Sequence, residues 1–200
     1  MDMKYEHLRP FFNTGTLFET QFNLLSPEGL LLTTCLHHGG KEQWRSLKHV
    51  CDVAAILDRY GSTLNWKMLM AKSKELKVGN ILLLGLGLAS HIFDLVLPGD
   101  LQPLVYSRKM KKHIGRIQSQ LPKKIGFSSV ANELVQNMWL HLSLRQYWIT
   151  KLKVLYYFLV YFLSPNAKDI RGREMSRASY LLLFFKKPFR LWSSHSKNEN

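Results

Sequence analysis

Histidine, lysine and acidic residues are concentrated between residues 37 and 52, beside residues that continue the apolar spacing of two predicted helices. His38 and Glu42 are four residues apart, so a continuous helix would place both on one face. An imidazole and a carboxylate could bind a divalent metal ion there, but the sequence fixes no third ligand. Because Gly39-Gly40 also weakens the helix between them, a hydrogen-bonded structural pair is the favoured interpretation.

Trp44, Lys48 and Asp52 form a second series at intervals of four residues. On a helix they share a face, and Lys48 and Asp52 could form an ion pair that contributes about 0.2–0.5 kcal/mol. A polar seam between two helices is one interpretation of this series. A binding site is the other.

Two helices are predicted to position these side chains. Ser26 can cap the first helix, Pro27 fits its first position, and Glu28 suits the positive end of the helix dipole. Gly39-Gly40 then loosens or ends this helix. The second helix is predicted from residues at helical spacing that face inward: Trp44, Leu47, Val50, Cys51, Ala54, Ile56 and Leu57.

Residues 32–54 resemble the helical signature of a family of bacterial nucleotidyltransferases. That signature is a Leu-rich helix followed by His-Gly-x-Lys-His-x-Trp-x-x-Leu-Lys-x-x-x-Asp. The matching residues here are His38, Gly39, Lys41, Trp44, Leu47, Lys48 and Asp52. Glu42 stands where the family has its second His. Looser matches to the family continue at residues 65–66, 164–165 and 187–191.

The resemblance implies a two-metal reaction. Polymerase-beta-like nucleotidyltransferases use a Gly-Ser or Gly-Gly turn, an Asp-x-Asp pair and a third carboxylate on a later strand, which together hold two Mg²⁺ ions. This sequence has no such turn followed by Asp-x-Asp. Residues 1–7 resemble the strand that bears the third carboxylate, which makes Asp2 the candidate catalytic residue and possible metal ligand.

The resemblance therefore predicts the C-terminal helical portion of such an enzyme, truncated at its N-terminus and inactive by itself. Complete relatives are expected to transfer a nucleotidyl group from a nucleoside triphosphate to an unknown acceptor, with Mg²⁺ as cofactor. No cofactor is predicted to bind tightly to this chain. By the same resemblance the substrate-binding candidates, which would border the nucleotide or acceptor pocket, are His38, Lys41, Trp44, Lys48 and Asp52.

Net positive charge is confined to the second half of the chain. Residues 1–100 carry 10 Lys+Arg and 10 Asp+Glu, whereas residues 101–200 carry 18 and 4, so the whole net charge of +14 lies there. Such asymmetry favours a polyanionic partner. The alternative function is therefore a non-catalytic helical module that binds nucleic acid or an anionic membrane surface through residues 101–190. Ordinary packing of the aromatic residues in a core would also explain their helical spacing.

Cysteine content and targeting signals predict a cytoplasmic protein, with peripheral association with a membrane as an option. Cys35 and Cys51 lie on apolar helix faces, which predicts burial rather than a disulfide. The N-terminus lacks the apolar stretch of a signal peptide. The apolar segment 81–97 contains His91 and Asp94 and is short for a transmembrane helix, so a central helix packed on all sides is predicted instead.

The overall prediction is a mainly α multi-helix bundle with one or two short N-terminal β-strands left from an α/β nucleotidyltransferase core. Strands are predicted at residues 1–7 and 17–25, with a turn at residues 10–15. Further helices are predicted at residues 66–77, 81–97, 101–121, 129–163 and 176–185. The predicted regions are a residual strand segment at 1–25, the signature domain at 26–100, a basic aromatic region at 101–192 and a disordered tail at 193–200.

Overall fold

A computed structural model describes residues 5–121, 130–145 and 147–163. The chain divides into two compact units, Met1–Gly126 and Phe127–Asn200. The described residues are mainly α-helical with one short antiparallel sheet, so the predicted fold class is confirmed. None of the described helices combines the length and the apolar character needed to cross a bilayer.

The described N-terminal segment is helical before it becomes extended. Helix α1 covers Tyr5–Leu8 and a single 3₁₀ turn covers Arg9–Phe11. Strand β1, Phe12–Leu17, then pairs antiparallel with β2, Thr20–Leu25. The strand predicted over residues 1–7 is wrong in its described part, because residues 5–7 belong to α1. The turn predicted at 10–15 is also wrong, since residues 12–15 form strand pairs.

The residues of the hairpin turn explain why the first strand was not predicted from the sequence. Phe18 and Glu19 form the turn with φ angles of 46° and 63°. Such left-handed pairs usually carry Asn or Gly, so no turn signal marks this position. Phe18 is also 90% exposed, which an alternating strand pattern does not predict.

Helices α2, Pro27–Gly40, and α3, Leu47–Tyr60, follow the hairpin and pack against each other. Ser26 accepts a hydrogen bond from the backbone N–H of Gly29 at 3.2 Å, which confirms the predicted cap. Cys35 is fully buried as predicted, and burial raises the pKa of its thiol. Cys51 is exposed, so its predicted burial is wrong. The apolar stripe of α3 instead runs through Val53, one turn from Val50 and Leu57.

Helices α4, Trp66–Glu75, and α5, Gly79–Phe93, complete the signature region. Asn65 caps α4 by accepting from the N–H of Met68 at 3.0 Å. Every residue of α5 from 80 to 90 is buried, which confirms a central helix packed on all sides. It ends before residue 97, because Asp94 adopts the left-handed conformation. Helices α2, α3 and α4 all pack against it.

Two helices occupy the segment predicted as one helix at 101–121. Helix α6 covers Gln102–Val105 and α7 covers Arg108–Gln120, separated by a break at residues 106–107. Both pack against α5. The apolar side predicted from the sequence is confirmed, since all of its members are buried: Val105, Met110, Ile114 and Ile117.

The second unit contains α8, Val130–Leu144, and α9, Trp148–Leu163, which pack together. The continuous helix predicted at 129–163 is therefore wrong in its middle. The helix predicted at 176–185 and the tail predicted at 193–200 lie outside the described residues.

Candidate functional site

The residues singled out by the sequence meet where α2 ends and α3 begins. The six residues between Gly40 and Leu47 connect the last turn of α2 to the first turn of α3. We name residues 37–52 the α2–α3 corner. The last turn of α2 contributes His37 and His38, and the first turns of α3 contribute His49 and Asp52.

His38 and Asp52 form the central contact of the corner. The Nε2 atom of His38 lies 2.9 Å from Oδ2 of Asp52, within hydrogen-bonding distance. The His38 side chain is 11% exposed and that of Asp52 is 41% exposed, so the pair lies at the protein surface with its imidazole turned inward. A carboxylate in this position fixes the orientation and the tautomer of the imidazole.

This pairing differs from both pairs predicted from the sequence. Because α2 stops at Gly40, Glu42 is not one helical turn beyond His38, and its backbone N–H donates to the carbonyl of His37 at 3.1 Å. The Glu42 carboxylate then lies 4.0 Å from Nε2 of His37. The predicted His38–Glu42 pair is therefore wrong. The predicted Lys48–Asp52 pair gives way to the contact between Asp52 and His38.

His49 is a member of the corner that the sequence interpretation missed. Its ring stacks on that of His38 with centroids 4.4 Å apart and an interplanar angle of 16°. Burial and the neighbouring His38 lower the pKa of His49, against the opposing effect of Glu42 and Asp52. The signal was its position three residues before Asp52, which places both on one face of α3.

The buried side chain of Trp44 packs against α2 and α5 and so fixes the position of the corner. This side chain is 1% exposed, and Trp44 lies before α3 rather than on it, so the predicted helical series of Trp44, Lys48 and Asp52 is wrong. A Cβ atom on Gly39 would lie 2.9 Å from the indole Nε1, and one on Gly85 would lie 2.8 Å from Cη2. The two glycines therefore form the slot that the indole fills.

The backbone at Trp44 is adapted to this slot. Gln43 and Trp44 have φ angles of 57° and 56°, which non-glycine residues rarely adopt. The backbone N–H of Trp44 donates to the backbone carbonyl of His38 at 2.9 Å, which links Trp44 directly to His38. The predicted contact of Trp44 with a substrate stays a prediction, while its observed contacts position His38.

The two lysines of the corner are exposed. Lys41 caps the C-terminus of α2, and Lys48 lies in the first turn of α3. The interior of the corner contains three buried nitrogen atoms that have no hydrogen-bond partner among the described residues: Nδ1 of His38, Nδ1 of His49 and Nε1 of Trp44. The corner therefore has lysine ammonium groups on its surface and unpaired ring nitrogen atoms in its interior.

A metal site does not emerge from the described part of the chain. There, no group of three or more His, Cys, Asp or Glu side chains is placed to hold a metal ion. Asp2, the predicted third carboxylate, lies outside the described residues. The residues in view thus do not fit an Mg²⁺ site, and no step of a reaction is assigned to that ion.

Comparison with known protein families matches residues 7–94, from α1 to the end of α5, to a family described as uncharacterised nucleotidyltransferase. The matched segment contains the whole α2–α3 corner. No curated protein matches the chain, and no solved structure matches it. Residues 7–94 are thus similar to an uncharacterised nucleotidyltransferase family, in agreement with the resemblance predicted from the sequence.

Proposed function

We propose that the α2–α3 corner binds the phosphate groups of a nucleotide or of its acceptor, as part of a nucleotidyltransferase. The observation that carries the proposal is the His38–Asp52 contact of 2.9 Å, which closes a segment with two exposed lysines, Lys41 and Lys48, inside the part of the chain matched to the family. Ammonium groups stabilise phosphate charge, and the His38–Asp52 contact ties the end of α2 to α3, so that the two lysines are held near each other.

Each residue has a distinct part in this proposal. Asp52 holds His38 in one orientation through Nε2, and the ring of His49 stacks on one face of the same imidazole. Lys41 and Lys48 approach the bound phosphates from the two helices that meet at the corner. Trp44 keeps the end of α2 in place, so that these side chains converge on one ligand.

Binding of a fluorescent ATP analogue tests this proposal. The double variant Lys41→Ala/Lys48→Ala should weaken binding roughly tenfold, because two exposed charged contacts contribute about 1 kcal/mol or less each. The matched control is Lys67→Ala/Lys74→Ala, which removes two exposed lysines from α4. Equal affinities of the two double variants would refute the proposal.

We propose further that this polypeptide does not catalyse transfer unaided. By the family resemblance, Asp2 is the single counterpart in this sequence of the three carboxylates of the two-metal reaction. Complete relatives would transfer the nucleotidyl group from a nucleoside triphosphate to an acceptor in the presence of Mg²⁺. Incorporation of labelled nucleotide should therefore be undetectable. Incorporation by the wild-type chain that is lost in Asp2→Ala would contradict this.

A second candidate function is binding of a polyanion through residues 101–190. The charge distribution favours it, because the second half of the chain carries the whole net charge. Exposed aromatic residues on α9, Trp148, Tyr156 and Tyr157, add groups that could stack on bases or lie at a membrane surface. Binding that weakens steeply as salt rises would support this function, and binding indifferent to salt would exclude it.

A further inference from the structure

The outward side of α7 is cationic from residue 108 to residue 116. Met110, Ile114 and Ile117 are buried, so the opposite side of this helix faces solvent. The solvent side carries five basic residues over 13 positions: Arg108, Lys109, Lys111, Lys112 and Arg116. We name the four of these other than Lys109 the α7 cationic face. Arg108, Lys112 and Arg116 follow one another at intervals of four, about 6 Å apart along the helix axis.

Within the described residues, no carboxylate pairs with the α7 cationic face. The sequence contains no Asp or Glu from residue 101 to residue 132. The four residues of the α7 cationic face form no ion pair with the described residues. The half-buried His113 is affected by the same positive charges. Burial and the charges of Lys109, Arg116 and Lys112 lower its pKa. A positive field without internal compensation favours an anionic partner.

The α7 cationic face is separate from the α2–α3 corner. A Cβ atom on Gly85 would meet Trp44, whereas one on Gly87 would meet Ile114 of α7 at 2.6 Å. Two residues apart on a helix correspond to about 200° of rotation, so α7 and the corner lie on opposite sides of α5. What this face binds therefore does not depend on the proposed function of the corner.

The composition of the face distinguishes between two anionic partners. A helix that binds a membrane surface inserts apolar side chains beside its basic residues. The apolar side chains of α7 are instead committed to the core of the first unit. A methyl group added at Gly115 would meet no atom within 4 Å, so this residue leaves bare backbone among the cations, where a sugar-phosphate strand can approach closely.

We propose that the α7 cationic face is a docking surface for the phosphate backbone of a nucleic acid, without readout of base sequence. No aromatic side chain of the Phe, Tyr or Trp type occurs in α7 to stack on bases, and the regular spacing of the cations matches a partner with regularly repeated charge. RNA and DNA strands of the same sequence should therefore bind with similar affinity, since phosphate contacts do not involve the 2′-hydroxyl.

Fluorescence anisotropy with short labelled RNA and DNA single strands tests the proposal on the full chain. Wild-type affinity should fall linearly on logarithmic axes as salt is raised from about 50 to 200 mM. The variant Lys111→Gln/Lys112→Gln should lower affinity roughly tenfold and reduce the salt slope by about 1.4, since each phosphate contact on a single strand contributes about 0.7. Lys67→Gln/Lys74→Gln is the control of equal net charge and should keep the wild-type slope. Identical slopes for the two variants would overturn the proposal.

Two further measurements check that the variants are folded and that the strand binds at the α7 cationic face. Circular dichroism melting establishes that both variants fold, and titration of His113 by nuclear magnetic resonance, with and without strand, locates the bound anion. A phosphate backbone on this face should raise the pKa of His113, and an unchanged value at saturation would overturn the proposal. Vesicles of phosphatidylserine and phosphatidylcholine form the competing arm. Vesicle binding that depends on Lys111 and Lys112, without strand binding, would also refute it.

Discussion

At the scale of single residues, Gly39 and Gly85 leave the space that the side chain of Trp44 fills beside the α2–α3 corner. A Cβ atom on Gly85 would lie 2.7 Å from Sγ of Cys35 and 2.8 Å from Cη2 of Trp44. Gly85→Ala should therefore destabilise the protein by about 1–3 kcal/mol through overpacking, less about 1 kcal/mol gained in helix propensity. Urea unfolding measures the change.

Gly115→Ala is the matched control for this substitution. It also lies within a helix, but its added methyl group would meet nothing within 4 Å. It should stabilise the protein by up to about 1 kcal/mol. If Gly85→Ala proves as stable as Gly115→Ala, the packing of Trp44 between the glycines does not have the importance assigned to it.

His49 should make the stability of the first unit depend on pH. Burial and the stacked His38 lower its pKa in the folded state from the ordinary value of 6.5. The unfolded chain therefore binds the proton more readily, so the free energy of unfolding should fall as pH drops below about 6.5. In His49→Gln this decline should be shallower, with His113 sustaining the remainder. Parallel pH profiles for the two proteins, from urea unfolding, would contradict this.

The sequence singled out His38 and Asp52 but not His49, and it did not predict how the residues of the corner pair. A connection near residue 40 joins the end of α2 to the start of α3, which made it reasonable to expect His38 and Asp52 in one region. The pairing depends on where α2 ends and on the left-handed backbone at Gln43 and Trp44, which no local signal announces. A helix continued by two residues would have paired His38 with Glu42 instead.

At the scale of elements, Glu28 joins the start of α2 to the start of α4. Its Oε1 accepts the backbone N–H of Asn65 at 2.8 Å. Glu28→Ala should cost about 1–3 kcal/mol, because it leaves that N–H unpaired in a partly buried place. The control Glu75→Ala removes an exposed carboxylate and should cost about 1 kcal/mol or less. Equal losses in thermal unfolding would contradict the assigned role.

This contribution of Glu28 should also depend on pH. Burial would raise the pKa of its carboxyl, but hydrogen bonds from the backbone of Asn65, its own N–H and Ser26 lower it overall. The stabilisation is therefore complete above the ordinary value of about 4.5 and is lost as pH falls through the folded-state value. The difference between wild type and Glu28→Gln should shrink in acid. A difference that stays constant to low pH would contradict the charged form.

Helix interiors followed from the sequence more closely than helix ends did. The apolar run of α5 and the Asn65 cap of α4 come from strong local patterns, and both are confirmed. The breaks near residues 106 and 145 carry no Gly or Pro, so periodicity alone ran through them. The hairpin was missed for the same reason, since Phe18 and Glu19 are unusual turn residues.

At the scale of the whole molecule, helical periodicity predicted a mainly α fold, and the uneven distribution of Lys and Arg along the sequence appears on the surface of α7. The first unit alone contains the family match, the corner and α7. The second unit leaves apolar side chains such as Trp148 and Leu159 exposed among its described residues. Its α8–α9 break could not be predicted, because the residues on both sides continue one helical pattern.

Uncompensated charge should limit the stability of the protein at low salt. Cations on α7 repel one another because no carboxylate lies among them, whereas Lys67 and Lys74 belong to a half of the chain whose charges balance. Lys111→Gln/Lys112→Gln should therefore raise the melting temperature at low ionic strength by about 1–2 °C relative to Lys67→Gln/Lys74→Gln, for a relief of roughly 0.5 kcal/mol. The advantage should vanish near 1 M salt, where the screening length is about 3 Å. Calorimetry without nucleic acid measures it, and an advantage that persists at high salt would show that packing rather than charge is responsible.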